Sequence, residues 1–381
     1  MQVVQVMADG GRGGGADHLL GLMPELAKLG VRCTAISGSA GPLLARARAQ
    51  DIPVHSIEML HSRTSLRVAR RLAALLQRLQ PDLVHYHGTR AATYGSAVRL
   101  LSRLRGTPTV PSVYTAHGLA YRQPAGRLLR HLRQAAERLA CGADAVISVS
   151  RSDLANLQRR GALPKQRLQA HVANAVDVRR FAPGNVLQAR QHLGLPSEGF
   201  FIGTTARLVP QKAVGDLLDA VAAMPNNLLP QAQVVVIGDG PQRALLAQHP
   251  LSRAGRVFFL GARDDVAACL PAFDVFALTS HWEGEPIVLL EALACGLPCV
   301  ASRTPGAVEI LADGLGILRD IGDAAGFAQC FSALQADDAA RAAYGCAGVQ
   351  AMQQRTHAHQ AKKILALYER VLPPQHTATP S

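Results

Sequence analysis

The chain has 381 residues, of which 48% are hydrophobic, seven cysteines and a net charge of +13. That length is long for one core and natural for two domains, and the absence of any apolar run of eighteen or more residues excludes a bilayer-spanning helix. The odd cysteine count, with no C-x-x-C pair and no zinc-like spacing, argues against a disulfide framework. Cys33, Cys141, Cys269, Cys295 and Cys299 read instead as small core residues in a reducing cytosol.

From the start, MQVVQVMADGG reads as a strand entering a glycine loop, without the basic n-region of a signal peptide. Strand-like runs recur at 3–7, 31–37, 54–57, 83–86, 109–114, 145–149 and 168–172, with helical patterns between nearly all of them. Such βα alternation predicts a doubly wound parallel sheet with ligands outside the carboxyl ends of its strands. After the first strand, Gly11, Gly13 and Ala16 formally match a degenerate G-x-G-x-x-G/A fingerprint. The second strand lacks the acid expected for a dinucleotide ribose, so the loop, with Gly14 and Gly15 opening a helix, reads as an anion site rather than a nicotinamide site. His87 and His117 both fall at ends of predicted strands. The bland alternative for His117 is a histidine bonded to a loop carbonyl.

Charge is unevenly spread. Residues 1–180 carry 26 Lys+Arg against 10 Asp+Glu, or +16, and residues 181–381 carry 14 against 17, or −3. The first half therefore points to an anionic partner. Two basic amphipathic helices hold much of the excess. In one, Leu66, Leu72, Leu75, Leu76 and Leu79 share a face, with Arg63, Arg67, Arg70, Arg71 and Arg78 elsewhere; the other carries Arg127, Arg130, Arg133 and Arg138. Peripheral contact with an anionic membrane is expected from them, against the alternative of a solvated face on a core-packed helix. No aromatic stacking platform accompanies the arginines, so no nucleic-acid partner is expected.

A polar linker is expected at 183–199. The second half restarts with a buried strand ending at Arg207, and Lys212 precedes a helix; two cations at a strand-to-helix loop suit a departing diphosphate. Further on, VVVIGDGPQ reads as strand, turn and helix. The organising stretch is 273–311. Val275–Leu278 reads as a buried strand, a helix begins near Pro286 and ends at Gly296, and the run 298–301 reads as the next strand. Glu283 lies in the loop and Glu291 inside the helix, eight positions apart, which implies a Cα separation of roughly 10–12 Å. The amides around Ile287 and Val288 offer a diphosphate site flanked by these two carboxylates.

These residues, E-G-E-P-I-V-L-L-E-A-L-A-C-G-L-P, resemble the E-x7-E segment of family-4 retaining glycosyltransferases of the GT-B fold. Further segments follow in the family's order: Gly14-Gly15-Ala16-Asp17, His117, Asn174 to Phe181, Arg207 to Lys212 (with Ala213 at the usual glycine) and the Gly238–Pro241 turn. The resemblance implies two Rossmann-like doubly wound domains facing a cleft: residues 1–180 on the acceptor side, with a helix near 356–372 packing back on them, and 181–355 on the donor side. It further implies that Gly14 and Gly15 approach the donor phosphates and that His117 reaches the donor sugar. Arg207 and Lys212 would hold the diphosphate, Glu283 the sugar and Glu291 the ribose, while Gly284, Pro286, Ile287 and Val288 line the donor site. Ala175 stands where the family has glycine, which suggests a less demanding backbone angle there. Glu285 stands where an apolar residue is usual, and is read as pointing to the acceptor or bonding a donor hydroxyl.

The expected function is retaining transfer from a nucleotide-sugar, with a UDP-sugar the expected donor, to a glycan or lipid-linked acceptor in cell-envelope or lipopolysaccharide synthesis. The protein is expected in the cytoplasm, peripheral on the membrane's inner face. No D-x-D pair is evident, so neither a metal nor another cofactor is expected. The rival readings are a nucleotide-sugar epimerase on the same fold and a non-catalytic nucleotide-sugar-binding protein; a nicotinamide oxidoreductase is weaker still. Donor incubated alone separates the epimerase, which would interconvert the sugar. The tail from Pro373 reads as disordered.

Overall fold

The computed structural model describes residues 1–11, 13–38, 41–60, 65–164 and 166–372; Arg12, Arg63 and the tail from Pro373 lie outside them. The chain divides into two compact units, one of Met1–Asn174 with the chain from His357 onward, the other of Ala175–Thr356.

The first unit is built on seven strands: β1 (Gln2–Met7), β2 (Arg32–Ser37), β3 (Val54–Ser56), β4 (Leu83–His87), β5 (Ser112–Ala116), β6 (Ala145–Ser148) and β7 (Leu168–His171). Their order is β3-β2-β1-β4-β5-β6-β7, and every pairing is parallel. Successive side chains of a strand point to opposite faces, so Val4 and Val6 enter one core with Tyr86 and Tyr114. Val3 and Met7 enter the other with Leu19 and Leu22, closed by Leu367 and Tyr368 of the His357–Val371 helix. Strand order reverses between β1 and β4, which leaves a crevice at their carboxyl ends.

The strand expected at 109–114 starts three residues late, at Ser112. Pro108 and Pro111 both precede that start, and proline cannot donate to a ladder. Leu66 was expected in the apolar stripe of its helix, but it is the first helical residue and is 49% exposed, whereas Leu72, Leu75 and Leu76 are buried. In the Arg127–Ala140 helix only Glu137 and Ala140 are buried. Burial pushes the Glu137 carboxyl up to about 7, opposed by the Tyr114 hydroxyl, which donates to it at 2.6 Å. Leu128, Leu132 and Leu139 on the same helix remain exposed.

The second unit holds β8 (Phe200–Thr205), β9 (Ala232–Ile237), β10 (Val257–Phe259), β11 (Val275–Leu278), β12 (Cys299–Ser302) and β13 (Ile317–Arg319), in the order β10-β9-β8-β11-β12-β13. It too is parallel, with its reversal between β8 and β11. Both sheets are therefore doubly wound and Rossmann-like, as expected.

β8 ends at Thr205 rather than at Arg207. The segment 183–199 is no polar linker: it contains the Val186–His192 helix, with Ala189, Leu193 and Leu195 in the core. Arg190 is buried with it, ion-paired to Asp274 at 2.9 Å and seated over the Phe201 ring. The unit also takes in 175–180, because the Val176 amide donates to the Arg355 carbonyl at 2.9 Å and Phe181 packs in its core. Ala175 is buried and is not among the positive-φ residues, so alanine meets no strain where the family has glycine.

Candidate functional site

In the second unit, β8 and β11 are neighbours at the switch point, so the loops that follow them leave the sheet side by side. Hydrogen bonds join these loops: the His281 amide donates to the Gln211 carbonyl (2.9 Å), Gln211 Nε2 to the Trp282 carbonyl (2.9 Å), and Thr279 Oγ1 to the Ala213 carbonyl (2.9 Å). At their meeting point Lys212 Nζ lies 2.6 Å from Glu283 Oε1, with side chains only 15% and 8% exposed. The two residues to which the resemblance gave separate tasks are thus one shielded ion pair. Lysine carries three donors, so its other two N–H groups remain for a second anion.

Lys212 closes a short 3-10 turn, and Ala213 behind it is left-handed at φ 45° and ψ 45°, the conformation that makes glycine the usual occupant. Arg207 is exposed and makes no ion pair among the described residues. Its loop is fixed from below by the Gly238–Pro241 turn: Leu208 donates to the Asp239 carbonyl, Gln242 to the Leu208 carbonyl, each through its amide. A Cβ on Gly238 would stand 1.9 Å from the Ala206 carbonyl oxygen and one on Gly240 2.6 Å from that of Leu208, so both glycines are demanded by close approach.

The Ile287–Ala294 helix follows the Glu283 loop. Its N-cap is Pro286, which has no side-chain acceptor to spend on the first amides, so those of Ile287 and Val288 are left for a ligand. Cys295 caps the other end, followed by Gly296 at φ 77°. Glu291 is half-buried one turn before that end. The loop at Gly284 and Glu285 rests on the start of the Pro305–Ile310 helix, where a Cβ on Gly306 would stand 1.7 Å from the Gly284 carbonyl oxygen.

Glu285 departs from expectation. Its side chain is 1% exposed and pairs with Arg355 at 2.8 Å, a partner within the same unit that the sequence reading did not give it. Arg355, which sequence reasoning missed, supplies no local pattern: it lies seventy residues away.

In the first unit, Gly14 and Gly15 open the Gly14–Lys28 helix behind Gly13 at φ 146°. Asp17 in its first turn pairs with Arg46 at 2.8 Å. At the same switch point lies a cluster of histidines. His85 and His87, two apart on β4, share a face; parallel register sets His87 beside Thr115 of β5, and His117 follows two residues later. His87 Nδ1 lies 3.2 Å from His117 Nε2, and His87 Nε2 lies 2.8 Å from Gln5 Oε1. His85 bonds the Tyr368 hydroxyl (2.6 Å) and Thr115 Oγ1 (2.7 Å). His18, from the glycine-opened helix, is buried against the rings of His87 and His117. Burial lowers all four: His117 to about 4, His85 to about 3, and His18 and His87 well below the usual imidazole range. His18 was missed in the sequence, although a histidine in the second turn of a glycine-opened helix is a visible signal.

Comparison with known proteins places this geometry. Residues 13–175 match the family model described as a glycosyl transferase 4-like domain, and residues 186–350 the model described as glycosyl transferases group 1. A UDP-Gal:alpha-D-GlcNAc-diphosphoundecaprenol alpha-1,3-galactosyltransferase of Escherichia coli is 32% identical over 62% of this chain and 61% of its own length. A D-inositol 3-phosphate glycosyltransferase of Corynebacterium diphtheriae is 30% identical over 75% of this chain and 70% of its own. Among solved structures, HepE of Anabaena in complex with UDP and glucose superposes with a TM-score of 0.81 over 97% of this chain and 100% of that one, at 23% identity. The two doubly wound sheets give the GT-B fold, and the matching family models and relatives define the class, a glycosyltransferase. Within it, the chain belongs to the family-4, group 1 glycosyltransferases.

Proposed function

We propose that this chain transfers a sugar from a nucleoside-diphosphate sugar, a UDP-sugar first, to a glycan or lipid-linked acceptor of the cell envelope, with retention and without a divalent ion. One observation carries the reading: a shielded Lys212–Glu283 pair at 2.6 Å in the loop that leads to the uncapped amides of the Ile287–Ala294 helix. The anomeric carbon–oxygen bond to the diphosphate breaks while the acceptor oxygen bonds on the same face, and the acceptor proton passes to the leaving phosphate oxygen. Lys212, Arg207 and the amides of Ile287 and Val288 stabilise the charge that develops on that leaving group. Glu283, oriented by Lys212, accepts from sugar hydroxyls, Glu291 from the ribose, and His117 bonds the sugar. The relatives named above as a galactosyltransferase and a glycosyltransferase do not favour an epimerase.

The test is calorimetric titration with UDP, GDP and ADP in EDTA. UDP binding that falls at least tenfold in Glu291→Ala is the expected result. No binding of any nucleotide at millimolar concentration, or a Glu291→Ala variant that binds as before, would overturn it. Retention is read from the anomeric configuration of the product by NMR.

The basic first unit supports peripheral binding to anionic lipid. Leu128, Leu132 and Leu139 are 75%, 58% and 55% exposed, and Arg99, Arg103, Arg138 and Arg167 line a hollow of about 470 Å³ beside Leu139. Each basic side chain near an anionic surface is worth about 1 kcal/mol. Sedimentation with phosphatidylglycerol vesicles, lost on Leu128→Ser/Leu132→Ser and absent with phosphatidylcholine, is expected; equal binding to both lipids removes the reading. No helix among the described residues is long and apolar enough to cross a membrane.

A further inference from the structure

The histidine cluster of the first unit holds more than one imidazole needs for a hydrogen bond to a sugar. One ring nitrogen from each of His18, His87 and His117 lies within 4.8 Å of the other two. The ring centres are 5.5 Å (His18–His87), 4.8 Å (His18–His117) and 5.5 Å (His87–His117) apart. Three imidazoles bound tetrahedrally to one ion at about 2.0–2.1 Å place their ring centres roughly 5 Å apart. The observed triangle has that size, and one nitrogen pair, His87 Nδ1 to His117 Nε2 at 3.2 Å, is close to the edge of such a tetrahedron.

We propose that His18, His87 and His117 bind one divalent late transition ion, Zn²⁺ being the prime candidate, with a fourth position open to water.

Three further features agree. Imidazole ligands suit zinc, nickel and copper, and burial keeps these rings in the neutral form that binds metal. An outer partner is in place: His87 Nε2 donates to Gln5 Oε1, whose amide in turn donates to the Tyr368 hydroxyl at 3.2 Å. Such carbonyl partners fix the tautomer of a liganding ring. With the Nε2 proton of His87 so engaged, its Nδ1 lone pair faces the ion, and His117 shifts its own proton to Nδ1 as Nε2 binds, so no proton is lost. His117, half-buried where the other two are buried, marks the path of entry. Among the described residues none of the three pairs with a carboxylate. A second group, His192, Asp265 and Cys269, is a poorer candidate, because Arg263 already takes Asp265 at 2.8 Å.

The site stands without the transfer reading. Where that reading also holds, the ion occupies His117 and zinc slows transfer in competition with the donor.

The experiment is titration of the full chain with Co²⁺, read by the visible d–d bands of a tetrahedral ion, followed by displacement with Zn²⁺ and counting of bound zinc. One equivalent with nitrogen-type spectra is expected. Gln5→Leu should weaken binding about 10- to 100-fold and His18→Ala by more, with near-ultraviolet circular dichroism showing that both variants fold; should His18→Ala not fold, His18→Gln takes its place. Less than one equivalent at micromolar zinc, unchanged binding in the histidine variant, or a sulfur-to-cobalt charge-transfer band that disappears in Cys269→Ser, would each overturn the assignment.

Discussion

Lys212→Ala is expected to lower kcat by about 10²–10³-fold, the effect of removing one preorganised donor from a developing negative charge. The ammonium at 2.6 Å from Glu283, with both side chains shielded, has two jobs that a single substitution cannot separate. It holds the Glu283 carboxylate in place, and by the proposal it meets the leaving diphosphate. The double variant Lys212→Ala/Glu283→Gln separates them. If lysine acts only through Glu283, the double variant is no slower than Glu283→Gln alone. If it meets the phosphate itself, the double variant is slower by a large part of the single Lys212 effect. The second outcome is expected, because the loop geometry leaves two ammonium N–H groups uncommitted to Glu283. Lys212→Arg should recover little, since a planar fork does not replace a compact ammonium in a shielded pocket. Kinetics with saturating donor decide the matter; a Lys212→Ala enzyme with unaltered kcat would remove lysine from the mechanism.

Much of this site was legible in the sequence because it is local. A strand, a loop, a proline-started helix and a glycine stop follow one another over 275–296, and each boundary rests on a residue whose backbone preference is strong. The doubly wound sheets were legible for the same reason, since buried parallel strands are short apolar runs that alternate with helical patterns. What escaped is contact across long separations. Nothing near Glu285 announces Arg355, and nothing near Glu283 announces that Lys212, seventy-one residues earlier, would be its partner rather than only the diphosphate's. His18 escaped for a related reason: its meaning depends on two strand ends that the sheet order brings beside it. The 183–199 segment was misread because polarity was judged by composition. Its core residues, Ala189, Leu193 and Leu195, are spaced among polar ones, and the one buried arginine is neutralised by an aspartate from beyond β10.

Gly306→Ala is the substitution expected to damage the second unit most for its size. The added methyl would stand 1.7 Å from the Gly284 carbonyl oxygen and 2.9 Å from the Glu285 Cα, and backbone cannot swing aside as a side-chain end can. Overpacking of a filled interior costs about 1–3 kcal/mol and occasionally more; a clash with main-chain atoms of two successive residues belongs at the upper end. The strain also has a direction. Gly284 lies between Glu283 and the amides of the Ile287–Ala294 helix, so relief by moving that loop displaces the Lys212–Glu283 pair from the helix start. UDP affinity should therefore fall together with the melting temperature. Gly215→Ala supplies the contrast, because its methyl would meet only Leu246 Cδ2 at 4.0 Å and it lies within the Val214–Ala222 helix. There, alanine should add about 0.4–1 kcal/mol of stability and leave nucleotide affinity unchanged. The same methyl thus acts with opposite sign at two glycines of one unit. Were Gly306→Ala to melt and bind like the unaltered chain, the 305–306 corner would not be what holds the loop, and the tie between loop position and diphosphate binding would be lost with it.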